Sequence, residues 1–411
     1  AEKLPAIRRK ISEVMIKHHG AGLYFGLGWS KVPFSGFKRG AFPRYWDQMH
    51  AELATVKQHR YQEFGDDIYS SVFEPIAHGG NQDDTCAVCG EEKSSTAALV
   101  DQDDAEETRV CPLCKSFIDP LGKRLTDATY VQLTFGESVP HEASTALDAL
   151  AEFGMGVQFF GKDCQPLPGL NGLARADRAV QWALSDVKKW PETNGIPTAR
   201  ALHYSVNQVP KETFDKLQEK STGIHRLGVL RMDVDNLGSL FKDGFGKGGE
   251  SIATIARLST LSFQVSLFFD GWVKQICEQV SRDIYAVYSG GDDLFLIAPW
   301  DLVPGLAARI AKDFATYTSG NPDLHVSGGM AFIHGKYPVY QAAEDAGDAL
   351  DAAKARDGKN AFSFLGWPWT WSEFSDLQQK FDLLITASRD HGAPAQLLQL
   401  LQRLSLMNAA E

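Results

Sequence analysis

Residues 227–234, Leu-Gly-Val-Leu-Arg-Met-Asp-Val, are an apolar run of the length of one buried strand, and the run ends in acids at Asp233 and Asp235. This feature limits the fold more than any other, because a buried strand with an acidic end needs a sheet around it and a cation near that end. Residues two apart on a strand share a face, so Asp233 and Asp235 are expected to project together while Val234 turns into the core. Downstream, Ile252, Ile255, Leu258, Leu261, Val265, Phe268, Trp272 and Ile276 recur every three or four residues and predict one long helix packed on a sheet. Segments 285–288 and 294–298 flank Gly290-Gly291 and predict a β-hairpin. A helix over 302–317, a strand over 325–333 and a helix over 340–355 follow, with a last strand expected near 361–365. The order is the β-α-β-β-α-β of a ferredoxin-like palm, so the fold class is α+β.

In that fold the two central strands are neighbours, which would bring Asp233 to the hairpin Tyr288-Ser289-Gly290-Gly291-Asp292-Asp293. So many negative charges at one sheet end require cations. The ligands are all hard oxygens, with no His or Cys near them in sequence, which favours Mg²⁺ or Mn²⁺. Two such ions suit an in-line displacement in which a ribose 3′-hydroxyl attacks and pyrophosphate leaves. Gly290 and Gly291 remove side chains where a nucleotide must approach the backbone. A bare Gly-Gly-Asp-Asp is more often an ordinary turn; the acid-ended strand, helix and hairpin in this order turn the balance toward a metal and nucleotide site. The pattern leaves open whether Asp292 or Asp293 is the tighter ligand, and whether Asp235 joins them or stands behind them. Ser327-Gly328-Gly329 would leave room for a base or sugar, and Lys354 and Lys359 could neutralise a triphosphate, though lysines also complement an ordinary helix end.

The six cysteines include Cys86-x-x-Cys89 and Cys111-x-x-Cys114, two chelating turns that fit one tetrahedral Zn²⁺ of structural type, with Gly90 following the first pair. Cys164 and Cys277 lack such neighbours and read as packed thiols. The stretch from Gly79-Gly80-Asn81 through Asp101-Gln102-Asp103-Asp104 is too polar to bury much and needs such a staple. Elsewhere we expect a helix over 7–18, a strand over 23–27, a helix over 46–64, strands over 130–135 and 156–160, a helix over 175–189 and a loop over 191–198. Gly22–Phe25 with Lys31–Phe34 faintly echoes Gly329–Phe332 with Lys336–Val339, which marks residues 1–78 as a partial first palm. The remaining divisions are a four-cysteine insertion over 79–120, a mixed α/β linker domain over 121–222, a second palm over 223–370 and the start of a helical domain over 371–411.

At 411 residues the chain is too long for one core. No apolar run is long enough to span a membrane, no signal peptide opens the chain, and the cysteine pattern suits a reducing cytoplasm. A net charge of −11 excludes a generally basic nucleic-acid coat but not a local basic groove; Arg8-Arg9-Lys10 and Lys38-Arg39 read as solvated surface. The absent initiator Met suggests an excised or processed chain.

The motifs Leu230-Arg-Met-Asp-Val-Asp-Asn-Leu-Gly238, Tyr288-Ser-Gly-Gly-Asp-Asp-Leu-Phe295 and Ser327-Gly-Gly-Met-Ala331 resemble the second palm of the large subunit of type III CRISPR effector complexes, most closely the Csm-type (III-A) version. Ile255–Ser262, Phe268-Phe269, Lys336–Tyr340 and Lys359-Asn360 extend the resemblance, which covers about residues 20–370, and the cysteine pairs lie where that family carries a zinc insertion. The resemblance implies an enzyme that joins ATP into cyclic oligoadenylate messengers once target RNA is bound, working with guide RNA and other subunits of the complex. It implies Asp233, Asp292 and Asp293 as catalytic metal ligands, Ser289, Gly290 and Gly291 as the shaping turn, and Ser327 and Lys354 as nucleotide contacts. It places zinc on Cys86, Cys89, Cys111 and Cys114. The family's His-Asp nuclease motif is absent from this sequence. A stand-alone diguanylate-cyclase-like enzyme shares the palm, but it would carry Gly-Gly-Asp/Glu-Glu-Phe rather than Gly-Gly-Asp-Asp. A non-enzymatic scaffold that merely binds ions is the third reading.

Overall fold

The computed structural model describes residues 3–74, 80–90, 92, 96–99, 108–137, 145, 147–168, 175–247, 250–394 and 396–408. It divides into a first unit of residues 1–207 and 238–263 and a second of 208–237 and 264–411.

In the first unit, α1 (Leu4–His19) starts on a proline and ends at Gly20 in the left-handed region, with Lys17, His18 and His19 in its last turn where the helix dipole favours positive charge. The predicted strand over 23–27 does not form. Residues 23–27 have no regular secondary structure, and among the described residues no strand pairs with them. A strand needs a neighbour for its alternating amides and carbonyls. Here the Leu27 carbonyl instead accepts from the buried Arg8 guanidinium at 2.7 and 3.0 Å. Helix α2 (Pro43–Gln58) stops short of residue 64 because Tyr61 turns left-handed, at φ 65°, into a 3₁₀ segment.

The unit's four-stranded sheet contains β1 (Tyr130–Glu137), β2 (Met155–Phe160), β3 (Arg175–Ala183) and β4 (Thr198–Leu202), in the order β2-β1-β3-β4. Strand β3 replaces the predicted helix over 175–189. Ala179, Gln181 and Ala183 are buried in alternation, and Gln181 faces Gln132 directly, its amide donating at 2.7 Å. A short apolar stretch satisfies either periodicity, and the vacant edge of β1 decides between them. The loop expected over 191–198 gives way to β4 at Thr198. Within the cysteine segment a ribbon pairs Ala97–Leu99 with Thr108–Val110; the acidic run 101–104 lies outside the described residues.

The second unit is one six-stranded sheet: β5 (Leu227–Val234), β6 (Tyr285–Gly290), β7 (Asp293–Pro299), β8 (Val326–Ile333), β9 (Ala361–Phe364) and β10 (Trp367–Thr370), ordered β6-β7-β5-β8-β9-β10. Strands β5 to β8 already complete the β-α-β-β-α-β unit, all antiparallel. The strand near 361–365 is therefore an addition, laid parallel to β8, and β10 was not foreseen. The predicted long helix becomes α3 (Ile255–Leu267), a π-turn at Phe268–Trp272, and α4 (Val273–Val280). Helix α5 (Val303–Tyr317) lies on the sheet face of Gly228, whose missing Cβ would meet Val303 at 2.8 Å. Helix α6 (Val339–Lys354) covers the opposite face, where Ala342 and Ala346 pack with Leu227, Val229, Phe295 and Ile297. Gly329 permits that approach: a Cβ there would sit 2.1 Å from the Leu350 amide nitrogen. Helices α7 (Trp371–Arg389), opened by a Thr370–Glu373 capping box, and α8 (Gln396–Asn408) end the chain.

Candidate functional site

The sheet register builds the site. Gly290 pairs with Asp293, Asp293 with Asp233 and Asp233 with Ser327, so four predicted residues form one row across β6, β7, β5 and β8. Asp292 joins through its carbonyl, which accepts from the Val234 amide at 3.1 Å. Gly291 occupies the left-handed region, at φ +68°, with open space where a Cβ would point, and Gly290 lies so close to Asp270 that a Cβ would come within 2.7 Å of its Oδ1. The hairpin thus needs both glycines, one for conformation and one for clearance. Ser289 donates to the Phe269 carbonyl at 2.7 Å and ties the hairpin to the π-turn.

Burial first, then the charges of Asp233 and Asp293, hold the Asp292 carboxyl above its ordinary range, while Lys354 pulls the other way. Lys354, at the end of α6, forms an ion pair with Asp233 Oδ1. Tyr288 donates its hydroxyl to Asp293 Oδ2 at 2.9 Å, and burial followed by that bond raises the phenol. The three carboxylates are not among the sets whose ligand atoms already close on one point. The donor set nonetheless suits a hard divalent cation: three acids, one disfavoured in its charged form, share one sheet end with one balancing lysine.

Asp235 stands behind this row. It is 1% exposed, and its Oδ2 accepts from Ser327 Oγ at 2.8 Å and the Asn360 amide at 3.2 Å and lies 2.7 Å from His325 Nδ1. Ser327, expected to touch nucleotide, is fully buried and committed to Asp235 and the Ala361 amide. Lys359 donates to Asn236 Oδ1 at 2.7 Å. Asn236, Lys359 and Asn360 are all left-handed, at φ 56°, 52° and 49°, so a strained residue and a strained dipeptide clasp one another beside the acids. Sequence reasoning placed Tyr288 in the hairpin but not its bond to Asp293, and it missed His325 and this clasp as parts of the site. The asparagines were the available signal, since Asn tolerates the left-handed region best after Gly.

The second cluster is complete. The sulfurs of Cys86, Cys89, Cys111 and Cys114 lie within 4.8 Å of one another, and none is in a disulfide. The Gly90 amide bonds to the Cys86 carbonyl and the Lys115 amide to the Cys111 carbonyl, each at 2.9 Å, so each pair closes a chelating turn. Amides also aim at sulfur: Cys111 N at Cys86 Sγ (3.3 Å) and Cys114 N at Cys111 Sγ (3.5 Å). Burial opposes the Cys86 thiolate, but the amides of Cys89, Cys111 and Val88 outweigh it and lower the thiol to about 6; burial raises Cys114. Four thiols so placed can hold a metal ion. Cys277 is buried and pushed up to about 12 by that burial, as a packed thiol should be.

Residues 226–363 match the family model of the Cas10/Cmr2 second palm domain. The Cas10/Csm1 single-strand-specific deoxyribonuclease of subtype III-A from Methanocaldococcus jannaschii is 26% identical over 417 residues, covering 89% of this chain and 50% of its own length. The chain is thus similar to Cas10/Csm1 proteins over most of its length. It spans about half the length of that curated relative. The fold agrees: a Csm1-Csm4 cassette solved with one ATP superposes with a TM-score of 0.62 at 21% identity, over 92% of this chain and 48% of that one. A Csm1-Csm4 cassette solved with cA3 gives 0.60 at 20%, over 92% and 47%. Among the described residues no helix is long and apolar enough to cross a membrane.

Proposed function

We propose that this chain is the cyclase portion of a type III-A CRISPR large subunit and converts ATP to cyclic oligoadenylates at the Gly-Gly-Asp-Asp hairpin. The observation that carries the reading is the single row Gly290–Asp293–Asp233–Ser327, flanked by Asp292 and Lys354, on a palm-family sheet. Asp233, Asp292 and Asp293 are the proposed metal ligands and catalytic residues. Bound there, Mg²⁺ or Mn²⁺ supplies the charge that activates a 3′-hydroxyl and steadies departing pyrophosphate. Gly290 and Gly291 let nucleotide approach the backbone, with Ser289 holding their turn. Lys354 exchanges Asp233 for phosphate oxygens, and Lys359 and Ser327 hold the β5–β9 end in place behind it. Zn²⁺ on the four cysteines is structural, because four protein ligands leave no open position.

Several other assignments belong to the same proposal. The domain limits are 1–78, 79–120, 121–222, 223–370 and 371–411. The partners are guide RNA, target RNA and other subunits, among them a Csm4-like protein as in the cassettes of the same fold. The compartment is the cytoplasm, where free thiols persist. The test is the assembled complex given ATP, Mg²⁺ and matched target RNA. Cyclic adenylates should accumulate, and Asp292→Ala with Asp293→Ala should abolish them without dissociating the complex. Unchanged product from that double variant would refute the assignment, and a cyclic guanylate from GTP would favour the diguanylate-cyclase reading.

A further inference from the structure

Between Glu13 and Asp47 the chain carries no acid, although 52 of its 411 residues are Asp or Glu. The same stretch holds Lys31, Lys38, Arg39 and Arg44 and is dense in aromatic residues. Most of these rings have partners within the first unit: Trp29 lies under Arg8, Tyr24 against Tyr61, and Trp46 stacks on Phe241. Phe34 does not. It is 93% exposed, with Phe37 44% exposed beside it. The two open and close one 3₁₀ turn, in which side chains three apart eclipse, so both rings share a face.

This turn is braced from beneath. Gly36 is buried so tightly that a Cβ would come within 2.4 Å of the Tyr45 ring and 2.8 Å of Val32. The Gly40 amide, at φ +77°, donates to the Ala253 carbonyl at 2.8 Å. Phe37 leans on Phe42, with ring centres 6.1 Å apart. Lys31, Lys38 and Arg39 are exposed and form no ion pair among the described residues.

We propose that this segment binds single-stranded nucleic acid, with bases stacking on Phe34 and Phe37 and Lys31, Lys38 and Arg39 meeting the phosphates. With the backbone of the turn already fixed, a base covering these rings has only side-chain freedom to order, and every base offers a π-face, so the contact tolerates sequence. Cations interleaved with outward rings, on a chain of net charge −11, fit a partner that is anionic and aromatic at once. Read from sequence alone, Lys38-Arg39 was plain solvated surface; the exposed rings on a braced turn are what change that reading. The proposal stands apart from the nucleotidyl-transfer reading.

Fluorescence anisotropy of the full chain with labelled oligouridylate and oligothymidylate tests it. Phe34→Ala should weaken binding about tenfold, and Phe34→Tyr should keep it. Lys38→Ala with Arg39→Ala should flatten the slope of log affinity against log salt by about 1.4, since each phosphate contact to a single strand contributes about 0.7. Phe34 is so exposed that its loss should not unfold the chain. ATP binding should be untouched by Phe34→Ala, and oligonucleotide binding untouched by Asp292→Ala with Asp293→Ala, so the two readings fail separately. Binding of either oligomer with these variant effects supports the proposal, and their ratio names the natural strand. Equal affinity of wild type and Phe34→Ala overturns it, as does a Phe34→Ala change confined to the chain's self-association, which would make this a protein interface.

Discussion

At the scale of single residues, the acids of the palm divide by what surrounds them. Asp233, Asp292 and Asp293 stand together at a partly open sheet end, and the raised carboxyl of Asp292 records first its burial and then the charges of the other two acids. Asp235, two residues along the same strand direction, is buried and its Oδ2 is occupied by Ser327, His325 and the Asn360 amide. Removing it strands several buried groups at once. Asp235→Ala should cost about 2–4 kcal/mol in denaturant unfolding, whereas Asp235→Asn, which keeps an acceptor, should recover more than half of that. A pair of equally destabilised variants would show that the carboxylate's charge, not its hydrogen bonding, matters. The role of Asp235 was only half legible in sequence: the shared face with Asp233 followed from strand geometry, but its partners come from residues about ninety and more positions away.

At the scale of elements, close approach sets what the palm tolerates. Gly329 lets α6 lie on β8, so Gly329→Ala must push that helix, and Lys354 at its end, away from the sheet. The expected loss is about 3 kcal/mol, seen as a lower unfolding midpoint, together with weaker ATP binding by calorimetry. In the first unit, Glu152 ties α1 to the short helix Asp148–Glu152 through Lys17 and His18. Burial works against the charged carboxylate, but the bonds from Lys17 and His18 prevail and lower its pKa. A depressed carboxyl stabilises the fold above the usual Glu range and loses that contribution as pH falls through the lower, folded value. The melting temperatures of wild type and Glu152→Gln should therefore differ near neutrality and converge in acid, below the usual Glu range. Persistence of the difference in acid would show that packing, not charge, holds this tie. The strand at Arg175–Ala183 shows why such elements escape a linear reading: its Ala, Val and Trp spacing suits a helix until β1 offers an edge to pair with.

At the scale of the whole molecule, the four-cysteine cluster is a satellite. Among the described residues its buried core is Cys86, Cys111, Cys114 and Val110, with Leu113 beside them and Cys89 exposed. Metal there should staple its own segment without supporting the palm sheet. Purified protein should contain about one zinc per chain by elemental analysis. Cys111→Ser should abolish that zinc and expose residues 80–120 to protease while ATP affinity holds. Loss of ATP binding on zinc removal would mean that the staple supports the nucleotide site as well. The sequence alone pointed to the kind of sheet, the hairpin and both groups of candidate ligands, because periodicity and spacing are local properties written in neighbouring residues. Only the tertiary structure decided which acids stay open and which are consumed, that Ser327 bonds to Asp235 and Lys359 to Asn236, and that Phe34 is left facing solvent. Those outcomes depend on register and burial, which arise when segments far apart in the chain compete for the same neighbours.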